Sequence, residues 1–112
     1  MTSEKFIAFT EKLLDKTKHR EIVWKRLKIH FSLGAPDKCF RCSANNMEIS
    51  LITAAKNTEY HYLRISYDSE VPDTELRPRN QNEEIVLLRL FNYVYSLFPN
   101  LESSIDSFLN DC

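Results

Sequence analysis

The sequence predicts an α+β protein: an N-terminal helix, a three-stranded antiparallel meander and two C-terminal helices, with all helices packed on one face of the sheet. Three observations predict it. Apolar residues recur with a helical period over residues 3–18, switch to alternation between residues 39 and 67, and return as a dense helical pattern after residue 83. At 112 residues the chain fits one domain spanning 1–112, with a single core.

In "SEKFIAFTEKLLDKTK" the positions Phe6, Phe9 and Leu13 form one stripe, widened by Ile7 and Leu14 and flanked by Lys5, Glu11, Lys12 and Lys16, with Thr2 or Ser3 as the cap. "HREIVWKRL" breaks that period and reads as a connector that pins Trp24 at the core edge. "KIHFSL" at 28–33 reads as extended segment or loop, and "GAPD" at 34–37 as a turn. Alternation then sets in. Phe40, Cys42 and Ala44 oppose Cys39, Arg41 and Ser43; Met47, Ile49 and Leu51 alternate with Glu48 and Ser50; His61, Leu63, Ile65 and Tyr67 alternate with Tyr60, Tyr62, Arg64 and Ser66. Residues 69–82, with two prolines, read as a polar linker. "EEIVLLRLFNYVYSLF" is apolar on most of its circumference, the pattern of a deeply buried helix. Pro99 stops it and Asn100 caps a final amphipathic helix bearing Leu101, Ile105, Phe108 and Leu109. The expected core is Phe6, Phe9, Leu13, Trp24, Phe40, Ile49, Leu51, Leu63, Ile65, Leu87, Leu88, Phe91, Val94, Phe98, Ile105 and Phe108.

The order of "FIAFTEKLL", then "TKHREIVWKRL" with its tryptophan, then "EYHYLRISYD", then a helical pair ending "SIDSFLND", resembles a set of small, functionally uncharacterised bacterial α-β-β-β-α proteins. The resemblance implies the fold and a bacterial or bacteriophage origin. It carries no catalytic residue over.

Composition narrows the chemistry. The formal net charge is -1, which gives no global pull toward nucleic acid or membrane. Charge is nevertheless segregated: residues 15–30 carry six Lys/Arg against two acids, and residues 68–84 carry six acids against two arginines. A single glycine, Gly34, excludes a phosphate-cradling loop. No stretch approaches the ~20 apolar residues of a membrane-spanning helix, and "MTSEKFIAF" is no signal peptide, so the expected compartment is the cytoplasm.

"KCFRC" at 38–42 suggests a metal or redox motif. A structural zinc site needs a second ligand pair, however, and His30, His61 and Cys112 are not paired at ligand spacing. In a strand, Cys39 and Cys42 point to opposite faces, and neither sits at a helix start that would favour a thiolate. The expectation is a core residue in Cys42 and ordinary thiols in Cys39 and Cys112, with no metal and no cofactor. His19, His30 and His61 are scattered, His61 reads as a satisfied core histidine, and the carboxylates of 68–84 lie in a linker without burial. No catalytic residue is therefore expected.

Two binding readings remain. The first is a protein-interaction module, of inhibitor or adaptor type, using an open sheet face with Arg41, Tyr60, Tyr62 and Arg64, since Tyr and Arg dominate binding hot spots. Its expected partner is another protein, or a second copy of the chain drawn by the opposed charge segments. A role in bacterial or phage defence or counter-defence is an expectation carried by the resemblance. The second is nucleic-acid binding, using Lys18, Arg20, Lys25, Arg26 and Lys28 together with the Tyr/Arg face.

Overall fold

In the computed structural model the chain is described over residues 1–27, 38–55, 59–67, 72–98 and 101–111. The elements run α1 (Ser3–Lys18), β1 (Lys25–Leu27), β2 (Lys38–Ala44), β3 (Met47–Ala55), β4 (Glu59–Ser66), β5 (Thr74–Leu76), α2 (Gln81–Ser96) and α3 (Leu101–Asn110). The strands form one antiparallel sheet in the order β1-β2-β3-β4-β5. The α+β class stands, but the sheet has five strands where alternation predicts three. Short edge strands lie in the stretch that reads as a connector and in the stretch that reads as a linker.

The β2–β3 hairpin is set by two asparagines. Asn45 and Asn46 have φ of 50° and 63°, the left-handed pair that a two-residue turn needs to match strand twist. Ala44 and Met47 close it. Thr2 caps α1, accepting from the Lys5 amide at 3.2 Å. At the other end the Glu21 amide donates to the Lys16 carbonyl and the Arg20 amide to Thr17, a Schellman closure. It places Arg20 at φ 61°, where glycine is usual.

α1 and α2 lie side by side and run the same way. At their N-termini, Ser3 Oγ donates to Glu83 Oε2 at 2.8 Å; near their C-termini, the Lys18 ammonium lies 5.7 Å from the Tyr93 ring centre. Together they cover one face of the sheet. Phe40, Ile49, Leu51 and Leu63 are fully buried beneath Leu87, Leu90, Phe91 and Val94. Phe40 meets Phe91, Tyr95 and Phe98 at centroid distances of 6.2, 6.3 and 5.0 Å. Trp24 closes the edge, donating from Nε1 to Thr17 Oγ1 at 2.8 Å, and Thr17 Oγ1 in turn donates to the Leu13 carbonyl. Neither group is left unsatisfied by burial.

Several expectations are corrected. α2 is not buried all round: Ile85 and Leu88 are exposed, and the buried stripe is Glu83, Val86, Leu87, Leu90, Phe91 and Val94. On α3, Ile105 and Phe108 are exposed and belong to neither core cluster. Phe9, Ile65 and Phe98 are partly buried against the core. Glu83 is not a linker carboxylate. It is fully enclosed at the start of α2, where it accepts from Ser3, from Asn80 Nδ2 at 2.6 Å and from Arg79 Nε at 3.4 Å, while Asn80 Oδ1 accepts from the Glu83 amide. Burial opposes its charge, yet hydrogen bonds from Ser3 and Arg79 and the Arg79 charge prevail and hold its pKa below the usual carboxylate value. The segments 28–37, Pro99 and Asn100 lie outside the described residues.

Candidate functional site

The sheet face turned away from α1 and α2 is the candidate site. Side chains directly opposite in antiparallel strands share a face, so the pairing register builds this surface in rows. One row crosses all five strands as Lys25, Arg41, Ser50, Arg64 and Glu75. A second runs Leu27, Cys39, Ile52 and Tyr62, and a third sets Ala54 beside Tyr60. Cys39, Ile52 and Tyr62 form a small buried apolar cluster with Leu27 and Ala54 against it. A two-layer fold would leave this face bare; here its own long side chains roof it.

Tyr62 is therefore not the exposed ring the sequence suggests; it is only 9% exposed. Arg77, just past β5, places its guanidinium 4.2 Å from the Tyr62 ring centre and 5.7 Å from that of Tyr60. The two tyrosine rings are stacked at 6.0 Å. Glu75 ties the roof down, accepting from Arg64 Nη2 at 2.9 Å and from Arg77 Nη2 at 2.8 Å. Those two hydrogen bonds hold the Glu75 pKa below its ordinary value, and the bond to Glu75 raises that of Arg64. Contact with the Tyr60 hydroxyl and with Glu75 raises that of Arg77, and burial raises that of the Tyr62 hydroxyl.

Arg41 stands differently. It is exposed, donates from Nε to Ser50 Oγ at 3.2 Å, and neighbours Lys25. Among the described residues neither cation is in an ion pair. Both line a groove of about 410 Å³ with Val23, Leu27, Ser43 and Glu48. Of the expected interface, then, Arg41, Tyr60 and Arg64 reach the surface and Tyr62 supplies its floor. Lys25, expected with the basic segment in the nucleic-acid reading, also belongs to the site; so do Arg77 and Glu75, which sequence reasoning does not place there. The alternation of "TEL" is the available signal for β5, too short to set a period, and flanking prolines at 72 and 78 suit only an edge strand.

The basic segment does not assemble into one surface. Lys18 turns toward α2, Arg20 ends α1, and Lys25 and Arg26, being consecutive in β1, leave opposite faces of the sheet. Only Lys25 joins the candidate site, and Lys28 lies outside the described residues. The cysteines of "KCFRC" divide as alternation requires, Cys39 to the candidate face and Cys42 to the core. Burial raises the Cys39 pKa against the pull of Arg41 and Arg64, and pushes Cys42 up to about 12, so neither thiol is ionised at neutral pH. His61 faces α2, stacked on Phe91 at 4.1 Å with its Nδ1 2.8 Å from the Thr53 hydroxyl. Among the described residues no group of three or more His, Cys, Asp or Glu side chains is placed to hold a metal ion, and no helix is long and apolar enough to cross a membrane.

No protein-family model matches the chain, and no solved structure matches it. Curated relatives do. The alanine–tRNA ligases of Bacillus cytotoxicus and Bacillus mycoides are each 32% identical to it over 105 residues, and that of Bacillus thuringiensis (strain Al Hakam) is 31% identical. These alignments take in 88% of this chain and 11% of each ligase, so the chain spans about a tenth of the length of the curated relatives it matches.

Proposed function

We propose that the chain is a non-catalytic binding module, of inhibitor or adaptor type, that docks a partner protein on the sheet face opposite α1 and α2. One observation carries this reading: an apolar floor of Cys39, Ile52 and Tyr62 ringed by Arg41, Arg64, Arg77 and Tyr60. An apolar centre with an Arg/Tyr surround is how protein interfaces are built. Lys25 and Arg41, paired with no carboxylate among the described residues, favour a partner with an acidic patch. Arg77 lies over Tyr62 and beside Tyr60, so bases stacking on these rings would have to displace it.

A second reading is RNA binding, and what favours it is the likeness to part of a tRNA ligase. One titration separates the two. Fluorescence anisotropy with a tRNA transcript and with a single-stranded oligonucleotide, from low to physiological salt, should show no specific affinity if the partner is a protein. Tight, steeply salt-dependent binding that Arg41→Glu abolishes would replace the protein reading with the RNA one.

A further inference from the structure

α3 keeps its apolar side in solvent: Ile105, Phe108 and Leu109 are 49%, 78% and 72% exposed. At spacings of i, i+3 and i+4 they make one stripe. The helix also carries Glu102 and Asp106, with no Lys or Arg, and Asp111 follows it. A contiguous apolar stripe of this kind marks a surface meant to be covered.

Elsewhere the molecule holds the complement of that stripe. Between α1 and the β2–β3 hairpin lies a groove of about 170 Å³, floored by Phe9, Leu13, Ile22 and Ile49, with Lys12 and Lys16 also lining it. A cavity of about 150 Å³ accepts a benzene ring, so the groove suits one phenyl side chain. Lys12 and Lys16 are one helical turn apart, as are Glu102 and Asp106. Among the described residues neither lysine is in an ion pair.

We propose that α3 of one chain docks in the α1–hairpin groove of a second copy, with the Phe108 ring in the groove and Asp106 against Lys16. Matched apolar surfaces and opposite charges choose the occupant. Because each chain owns both halves of the contact, reciprocal exchange closes as a two-fold dimer. The groove lies on the helix side of the sheet, so the dimer leaves the Arg/Tyr face accessible.

Sedimentation equilibrium of the full chain, from low micromolar to hundreds of micromolar, tests this. The wild type should be dimeric at the upper concentrations. Phe108→Asp should weaken association at least tenfold while leaving the circular dichroism of the folded domain intact, since Phe108 packs in neither core cluster. Lys16→Glu should also weaken it, and Asp106→Lys in the same chain should restore it. A monomer at every concentration, including one whose α3 folds onto its own groove, would overturn the proposal. So would a dimer broken by Phe108→Asp but indifferent to Lys16→Glu, because α3 would then sit on another surface.

Discussion

The two faces of the sheet are drawn from alternate residues of the same strands, yet they are closed by different means. On one, Phe40, Leu51 and Leu63 disappear beneath two helices, and the cover is apolar. On the other, Cys39, Ile52 and Tyr62 bury one another with Leu27 and Ala54, and Arg77 lies over Tyr62 in a charged network anchored on Glu75. Burial of a similar degree therefore carries different meanings: a cover of helices cannot be removed without unfolding, whereas long side chains can change rotamer while the fold stays intact. Arginine and tyrosine side chains can lie along an apolar floor and still keep their polar tips in water.

The two faces should differ most in what a cavity costs. Leu51→Ala on the helix-covered face should cost about 3–5 kcal/mol, measured by urea unfolding, and Ile52→Ala on the other face about 2 kcal/mol, because the side chains above it can settle into the space. Equal losses would mean that the two faces are one kind of core. Thr17→Val should cost about 1–3 kcal/mol by stranding the Trp24 N–H in the interior. Arg20→Gly should stabilise by roughly 1 kcal/mol, since glycine relieves the left-handed end of α1. Arg41→Glu, at an exposed position, should change stability by no more than about 0.5 kcal/mol.

Acid distinguishes the carboxylates of the two faces. Glu83 and Glu75 both have folded-state pKa values below their ordinary value of 4.5, so each contributes stability present above that value and lost as pH falls through the lowered one. Glu83 is enclosed and Glu75 exposed, so Glu83→Gln should flatten the acid loss of stability in high salt, whereas Glu75→Gln should do so only in low salt. Denaturation midpoints followed downward from pH 5 would show it.

Much of this is legible in the residues and some is not, for physical reasons. The period of α1 and the alternation in β2 to β4 are local signals, and each appears where the sequence places it; of the two caps open to α1, Thr2 is the one used. β1 and β5 are three residues long, too short to display a period, and exist because β2 and β4 offer them free edges. Leu88 and Ile85 lie within so dense an apolar run that no pattern reveals which stripe faces the sheet. α3 shows a face that needs covering, but a periodicity never names the surface that covers it. The burial of Tyr62 by Arg77 joins residues far apart along the chain, and only the register brings them together.

If the Arg/Tyr face binds a protein, paired affinity capture will show it. Wild type, Arg41→Glu and Lys12→Glu would serve as baits in the same bacterial lysate, with captured protein and RNA quantified separately. A protein should be retained by wild type and by Lys12→Glu and lost with Arg41→Glu. Capture unchanged by Arg41→Glu, or RNA retained in place of protein, would contradict it.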